Sequence, residues 1–485
     1  MDLHQRGMFY IFSKMKKISL SLCLLTTVLA ASSQSKPAGK ILARAELHKK
    51  FGCIDLKGSE IVPIQYDDIG SWGYGLIAVN KGGKAVDYHM EGGKWGYCNE
   101  NGKLVIPLQY EKTETFSEEL AAVKIDGKWG FIDTTGKMAI QPRYDETRMF
   151  AGGLCAVCVK KKWGYINVRG EMMIRPEYTE AFEFDKGVAK VYAGKLDNDM
   201  TGERATGGYC IINKKGQRLI GPIFAYIGIW HEGFAKVKDS RNKVGFVNRQ
   251  GKIVVPLVYD EADDFSEGLA PVGKMVKGPD DVPDAQYEYG YVNTDGRLVI
   301  SGPFSRAETF YKGLAIVGKG VQKSSSFFAY NVADHSIVDS ADQPKYALIN
   351  KSGKYVLPFK WGGLQFIDGN RLIASKAGYL ASGVIDKKGN ELLPFSYTIL
   401  HYAGHDLLIG EIGDEPGKNE INLINGQGRT LFKTTRFTVN DLTYNYGLLP
   451  VRTNNQTKSG FVNIHGNWVI PDKYDMVWDF ESTRP

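Results

Sequence analysis

A four-residue pattern returns eleven times along this chain: Asp or Asn, two variable residues and then Gly, often followed by Lys or Arg. Self-similarity at a period of tens of residues predicts an architecture of stacked structural units. A residue that recurs in every unit more often builds the unit than performs chemistry. The repeating glycines are Gly58, Gly102, Gly136, Gly170, Gly216, Gly251, Gly296, Gly353, Gly389, Gly428 and Gly466.

The clearest unit is predicted to contain three strands joined by two tight turns. Residues 120–125 and 128–133 are the first two strands, and the Asp-Gly pair at 126–127 is a strong hairpin signal. The Asp-x-x-Gly pattern at 133–136 forms the second turn, in which glycine takes a left-handed conformation. The third strand covers 137–140 and stops before a proline, which cannot donate to a ladder.

A short connector follows each unit, and in five units it begins with an acidic residue after Tyr. In the clearest unit this residue is Asp145, which we expect to cap a single helical turn. Repeated carboxylates also suggest catalysis, but their recurrence favours the capping role. The counterparts of Asp145 are Asp67, Glu111, Asp260 and Asp475.

Three units carry an identical Lys-Trp-Gly at the start of the second strand, with Trp95, Trp129 and Trp163 at its centre. A glycine within a strand marks close approach of another backbone, so each Trp is expected to pack across units. An exposed aromatic platform for a ligand is the alternative. Val244 and Ile421 fill the same position in other units, which favours packing.

This pattern resembles the WG-repeat family, also called KWG repeats. The resemblance rests on Leu-Ala-Ala-Val at 120–123, Lys-Trp-Gly-Phe-Ile-Asp at 128–133, Gly-Lys at 136–137 and Pro-Arg-Tyr-Asp at 142–145. It covers 41–485, is most regular in 90–190 and diverges after about residue 300. The family resemblance implies a β-rich repeat fold, frequent export in bacteria and mostly no assigned activity.

The predicted fold class is therefore all-β, a tandem array of about eleven three-stranded meander modules. Eleven exceeds the four to eight blades typical of a closed propeller. We expect an open, twisted or superhelical array, with propeller-like closure as the alternative.

The N-terminal residues 1–33 resemble a secretory signal peptide rather than part of the fold. Lysines precede a short apolar run at 18–31, and small residues follow it. Met15 is a plausible true start. The apolar run is too short for a comfortable membrane span, and no later segment is suited to crossing a membrane. We expect an exported protein, either periplasmic, associated with the outer envelope or secreted.

Composition indicates a folded soluble protein without a nucleic-acid partner. Hydrophobic residues make up 43% and charged residues 24% of the chain. The net charge of +7 includes Arg6 and three lysines of the segment 1–33. The net charge of the rest of the chain is small. The basic residues there do not form the clustered basic face that nucleic-acid binding needs.

Five cysteines follow the signal segment: Cys53, Cys98, Cys155, Cys158 and Cys210. Cys155 and Cys158 have metal-like spacing but fall on a predicted strand. Residues i and i+3 of a strand point to opposite faces, so the two sulfurs are not expected to converge. Buried, unused thiols are the favoured interpretation.

Extra length between units is concentrated in the turn between the first and second strands. Inserts at one topological position project from one edge of a repeat array, and such edges often bind partners. Neutral drift in loop length is the equally weighted alternative. The inserts occupy 81–93, 194–207, 273–288, 318–345 and 413–419.

No catalytic, cofactor-binding or metal-binding residues are predicted. The acidic segment 197–203 matches the start of a calcium loop, but Gly208 stands where the bidentate Glu is needed. His401 and His405 would share a face only on a helix, and their segment is predicted as extended. The histidines form no HExxH motif, and no nucleophile or dinucleotide motif is evident.

The favoured function is a non-catalytic binding or scaffolding protein of the bacterial cell envelope or exterior. Its ligand would be a protein or a glycan, held by the edge that carries the inserts. One alternative is an enzyme or enzyme accessory with a site built from unique insert residues. A polysaccharide-binding protein is the other, suggested by the aromatic content.

Overall fold

The computed structural model describes most of the chain after residue 38. The described residues are 39–86, 89–195, 206–276, 286–320, 330–331, 336–337, 344–377, 379, 381–413, 419–439, 443–453 and 458–484. The predicted signal segment 1–33 and the acidic segment 197–203 lie outside them. The regular structure within these ranges is entirely β-strand, and no helix there is long and apolar enough to cross a membrane.

The strands of the described residues group into eleven four-stranded modules, numbered here along the chain. Module 1 consists of β1 (Ile41–Leu47), β2 (Lys50–Ile54), β3 (Glu60–Tyr66) and the last strand of the chain, β45 (Met476–Ser482). Modules 2 to 4 consist of β4 (Asp68–Gly73), β5 (Leu76–Val86), β6 (His89–Asn99) and β7 (Leu104–Tyr110); β8 (Lys112–Thr113), β9 (Leu120–Ile125), β10 (Lys128–Asp133) and β11 (Met138–Tyr144); and β12 (Glu146–Thr147), β13 (Leu154–Val159), β14 (Lys162–Asn167) and β15 (Met172–Tyr178).

Modules 5 to 7 repeat the same order. They consist of β16 (Glu180–Ala181), β17 (Val188–Lys195), β18 (Thr206–Asn213) and β19 (Arg218–Phe224); β20 (Tyr226–His231), β21 (Phe234–Lys238), β22 (Val244–Asn248) and β23 (Ile253–Tyr259); and β24 (Glu261–Ala262), β25 (Leu269–Val276), β26 (Gln286–Asn293) and β27 (Leu298–Phe304).

Modules 8 and 9 share one long strand and so form a single seven-stranded sheet. The sheet contains β28 (Arg306–Ala307), β29 (Leu314–Lys319), β32 (Lys345–Asn350), the shared β33 (Tyr355–Phe366), β34 (Arg371–Lys376), β35 (Ser382–Asp386) and β36 (Glu391–Tyr397). A separate pair, β30 (Tyr330–Asn331) and β31 (Ser336–Ile337), lies in the long insert between β29 and β32. Modules 10 and 11 consist of β37 (Ile399–Gly404), β38 (Leu407–Ile412), β39 (Glu420–Asn425) and β40 (Thr430–Thr434); and β41 (Phe437–Val439), β42 (Leu449–Thr453), β43 (Ser459–Val462) and β44 (Trp468–Tyr474).

The predicted meander forms the second, third and fourth strands of each module. The connector, which was predicted as an irregular crossover, supplies the first strand. In module 4, β12 follows β11 after a single residue and pairs with β13 through Glu146↔Cys158. The fourth strand of one module therefore continues almost directly into the first strand of the next.

The recurring Asp/Asn-x-x-Gly pattern is confirmed as the turn between the third and fourth strands. In module 3, Oδ1 of Asp133 accepts hydrogen bonds from the N–H groups of Thr135 and Lys137 at 2.9 and 3.0 Å. Gly136 has a φ of 85°, and a Cβ there would lie 3.1 Å from Ile106 of the preceding module. The glycine is needed both for its left-handed backbone and for the close contact between modules.

The hydrophobic core lies between modules rather than within them. Buried apolar side chains of the described residues form eleven clusters, each shared by two consecutive modules. An open row of eleven modules has only ten junctions. The eleventh cluster joins module 11 to module 1, with Phe461 and Tyr474 packing beside Ala43 and Phe480.

Strand pairing shows the same closure. β45 continues from module 11 and pairs with β1 of module 1 through Ala43↔Phe480 and Ala45↔Val477. The all-β tandem array of meander modules is thus confirmed. Its two ends meet in one sheet, as in the closed, propeller-like arrangement considered as the alternative.

The two closely spaced cysteines lie on opposite faces of β13, as predicted. Cys155 belongs to the core between modules 3 and 4, whereas Cys158 belongs to the core between modules 4 and 5. All five cysteines after residue 33 are buried as free thiols. Burial raises the pKa of Cys155 to about 12, so this thiol stays protonated at neutral pH.

Candidate binding groove between modules 10 and 11

Asp145, the acidic residue after Tyr in the clearest unit, links two consecutive modules. One carboxylate oxygen accepts a hydrogen bond from Nζ of Lys128 in module 3. The other accepts one from the N–H of Lys160, in a hairpin of module 4, at 2.7 Å. The prediction that Asp145 caps a helical turn is wrong, because the following residues form β12 instead.

The same linkage recurs at other junctions. Asp67, Asp260 and Asp475 each accept one hydrogen bond from a lysine of their own module and one from a backbone N–H of the next module's hairpin. Hydrogen bonds from Lys128 and Lys160 hold the pKa of Asp145 below its usual range. These recurring carboxylates hold modules together, which gives them a structural role.

The recurring tryptophans also pack at module junctions, as predicted. Trp163 is buried in the core between modules 4 and 5, and Trp95 and Trp129 are half-buried against the cores of their own junctions. The glycine after each Trp faces the backbone of the fourth strand: a Cβ on Gly130 would lie 2.6 Å from the carbonyl oxygen of Ile140.

One further position is almost invariably aromatic. The fourth strand of each module places one residue opposite the Trp position of the third strand, as Tyr144 lies opposite Trp129. In module 10 this residue is Thr434, which lies opposite Ile421. The other ten modules place here Tyr66, Tyr110, Tyr144, Tyr178, Phe224, Tyr259, Phe304, Trp361, Tyr397 and Tyr474.

Module 10 also lacks the bulge that precedes this aromatic residue. In module 3, the residues from Ile140 to Tyr144 lie opposite only 129–131, so the fourth strand bulges. In module 10, Phe432 lies opposite Leu423 and Thr434 opposite Ile421, without extra residues. The missing bulge leaves room for a side chain at the glycine position, which Asn422 fills at 4% exposure.

An open groove of about 670 Å³ lies where the aromatic residue and the bulge are missing. Phe432 and Trp468 provide aromatic walls, and Thr434, Thr453 and Asn467 provide hydroxyl and amide groups. Trp468 is 41% exposed. This volume lies within the range of roughly 300–1,000 Å³ that is typical of small-ligand sites.

The charged side chains of the groove balance one another. Glu420 and Lys433 form an ion pair of 3.3 Å, and the amide of buried Asn422 donates to Glu420 at 3.3 Å. Asp472 accepts a hydrogen bond from the hydroxyl of Thr453. Arg436 and His465 also line the groove, so its walls carry two carboxylates, two cations and one imidazole.

A histidine–carboxylate contact lies elsewhere, between modules 6 and 7. Nε2 of His231 is 3.3 Å from Oδ2 of Asp264. Burial raises the pKa of Asp264, while the charges of Lys236 and His231 oppose that rise. Of the two histidines weighed in the sequence analysis, His401 lies on β37, which confirms the extended conformation predicted for it, and His405 lies in the turn that follows. Nowhere in the described part of the chain do three His, Cys, Asp or Glu side chains group closely enough to hold a metal ion.

Comparison with known proteins identifies the family to which this chain belongs. The WG containing repeat family model matches residues 51–84, 95–129, 129–163, 163–195, 210–243, 245–274, 289–320 and 460–482, together more than half of the chain. The chain belongs to the WG-repeat family. No curated protein matches it.

Several solved structures show distant similarity. The computationally designed Ika8 protein has a TM-score of 0.28 at 12% identity, with 68% of this chain and 100% of that chain covered. BamB from Moraxella catarrhalis has a TM-score of 0.27 at 10% identity, with 72% and 96% covered. The tricorn protease has a TM-score of 0.28 at 12% identity, with 89% and 46% covered. Similarity at this level carries no argument about function.

Proposed function

We propose that this protein is a non-catalytic binding or scaffolding protein of the bacterial cell envelope or exterior. The proposed ligand, a protein or a glycan, is held by the edge that carries the inserts. Export is supported by the signal-like segment 1–33. The observation that carries the proposal is the separation of constant and variable hairpins to opposite edges of the array.

The variable hairpins all join the second and third strands of their modules. The flanking strands pair up to Val86↔His89, Lys195↔Thr206, Val276↔Gln286, Lys319↔Lys345 and Ile412↔Glu420. The central residues of the five inserts, 87–88, 196–205, 277–285, most of 321–343 and 414–418, lie outside the described residues.

These hairpins lie on the edge where the recurring carboxylates join consecutive modules. The carboxylate of Asp67 accepts a hydrogen bond from the N–H of Gly82, and that of Asp260 accepts one from the N–H of Met275. Gly82 and Met275 both lie in hairpins that carry inserts. The Asp/Asn-x-x-Gly turns lie at the opposite ends of the same strands, because strands of a meander alternate in direction. Sequence length therefore varies on one edge while the other edge stays constant.

Replacement of 318–345 by a two-residue turn tests this proposal. The variant should keep its thermal unfolding transition, since the replacement leaves β29 and β32 paired from Leu314↔Asn350 to Val317↔Ala347. We expect it to lose at least one partner that the unaltered protein captures reproducibly from envelope extract. Asp295→Lys, in an exposed turn on the opposite edge, is the matched control and should retain every partner. Unchanged capture by the shortened protein would exclude this loop as the binding element.

A further inference from the structure

We propose that the groove between modules 10 and 11 is a binding site for a neutral saccharide. The groove is defined by Phe432, Thr434 and Trp468 together with the charged residues Glu420, Lys433, Arg436 and Asp472. This inference does not depend on the insert-bearing edge, so the two proposals can fail separately.

The groove arises from a departure that only module 10 shows. Ten modules fill the corresponding space with an aromatic side chain, and most of these residues are almost fully buried; Tyr144, for example, is 2% exposed. Module 10 combines three changes: Thr434 for the aromatic residue, Asn422 for the glycine and loss of the bulge. All three act on the same junction, and together they open it.

The charge of the walls selects against several ligand classes. A phosphate-bearing ligand would meet the carboxylates of Glu420 and Asp472 as well as the cations of Lys433 and Arg436. A wholly apolar ligand would remove water from these charges without replacing its hydrogen bonds, which is unfavourable. The walls therefore suit a ligand that is neutral and rich in both donors and acceptors.

The aromatic residues of the groove suit the apolar face of a sugar ring. A sugar ring presents an apolar C–H face, which packs on an indole or phenyl ring, and a rim of hydroxyl groups. Trp468 and Phe432 supply the aromatic surfaces, and the carboxylate of Asp472 with the amide of Asn467 supplies acceptors and donors for hydroxyl groups. An extended peptide paired along the edge strand β40 is the competing occupant.

The experiment is calorimetric titration of the purified protein with a panel of neutral oligosaccharides: cello-, malto-, manno-, chito- and β-1,3-gluco-hexaose. We expect at least one to bind. Trp468→Ala should raise the Kd of that complex by about tenfold or more. Thr434→Tyr, which restores the missing aromatic side chain, should abolish it.

Tyr355→Ala is the matched control, because Tyr355 occupies the same ladder position in module 8 as Trp468 in module 11 and is 47% exposed. It should leave the affinity unchanged, and thermal unfolding of each variant checks that it folds. Absence of binding across the panel would overturn the proposal, as would binding that both groove variants leave intact. Binding of an extended peptide library that Thr434→Tyr blocks, with no saccharide bound, would assign the groove to peptides instead. The 318–345 replacement should keep saccharide binding, which separates this result from the fate of the insert edge.

Discussion

Thr434 lies directly opposite Ile421 in the ladder between β40 and β39, at the position where every other module places an aromatic residue. Elsewhere this aromatic residue packs into the core between modules, as Tyr144 does between modules 3 and 4. The core between modules 10 and 11 contains Ile421 and Leu423 but no residue from position 434. The groove thus lies where the repeated core lacks one aromatic side chain.

Thr434→Tyr should stabilise the protein. Burial of a large side chain contributes about 1.5–3 kcal/mol, and part of that is offset by ordering the ring and its hydroxyl. We expect the free energy of unfolding to rise by about 1 kcal/mol in chemical denaturation. Thr430→Tyr, at an exposed residue of β40 that does not line the groove, should have little effect. Destabilisation by Thr434→Tyr would show that the groove does not match the space of the missing side chain.

Closure of the array predicts equal costs at two junctions far apart in sequence. Phe480 packs on Phe461 at 4.9 Å between ring centroids, as Phe150 packs on Phe131 at 5.0 Å. Both Phe480 and Phe150 are at most 3% exposed. Phe480→Ala and Phe150→Ala should each destabilise the protein by about 3–5 kcal/mol. A much smaller loss for Phe480→Ala would indicate that the ends of the array are not joined in solution.

The glycines of the constant turns should differ in sensitivity from other left-handed glycines. Gly251 has a φ of 80°, and a Cβ there would lie 2.4 Å from the backbone oxygen of Leu219. Gly187 has a φ of 92° but no atom within 4 Å of such a Cβ. Gly187→Ala should cost about 1 kcal/mol for its backbone conformation alone. Gly251→Ala should cost more, since the neighbouring module must also shift. Equal losses of stability for the two variants would show that the contact between Gly251 and Leu219 does not add to the cost.

Asp67 and Asp68 should change stability with pH in opposite directions. Burial alone would raise the pKa of Asp67, but hydrogen bonds from Lys50 and the N–H of Gly82 outweigh it and lower that pKa. Burial raises the pKa of Asp68. The contribution of Asp67 is therefore present at neutral pH and lost as the pH falls below about 4, its usual carboxylate range. The contribution of Asp68 is present in acid and lost as the pH rises.

Asp67→Asn should accordingly lower stability at pH 7 by less than about 1 kcal/mol, since Lys50 is partly exposed, and should flatten the acid limb of the stability curve. Asp68→Asn should raise stability at pH 7, because it removes a partly buried charge. The amide oxygen can still accept the hydrogen bond that Asp68 receives from the N–H of Ile69. Denaturation of both variants between pH 3 and pH 7, within the usual carboxylate range and above it, provides the check. The same sign for both would contradict the assignments.

The repeat, the turns and the packing of tryptophans were predictable from sequence because each depends on local chemistry. Asp133 and Gly136 specify their turn through a side-chain acceptor and a left-handed backbone, and both are visible in the pattern. The role of Asp145 was not predictable in the same way. Its partners Lys128 and Lys160 lie 17 and 15 residues away, and only the positions of two modules bring them together.

The groove had a sequence signal that the repeat itself conceals. Most units place a proline two or three residues before the aromatic residue of the fourth strand, whereas module 10 reads Phe432-Lys433-Thr434 without a proline. The change looks like general divergence unless Thr434 is aligned with Tyr144, and strand register provides that alignment. Closure depends on pairing between residues more than 430 positions apart, such as Ala43 and Phe480, which no local pattern specifies.

Thiol labelling of Thr434→Cys tests the central claim most directly. The five native cysteines after residue 33 are buried, and burial raises the pKa of Cys53 and Cys155 to about 12, so these five thiols should react slowly with maleimide. In the folded variant without residues 1–33, the new thiol should react at a rate close to that of a free cysteine, with mass spectrometry locating the adduct at position 434. Labelling as slow as that of the native cysteines would contradict an open groove at this junction.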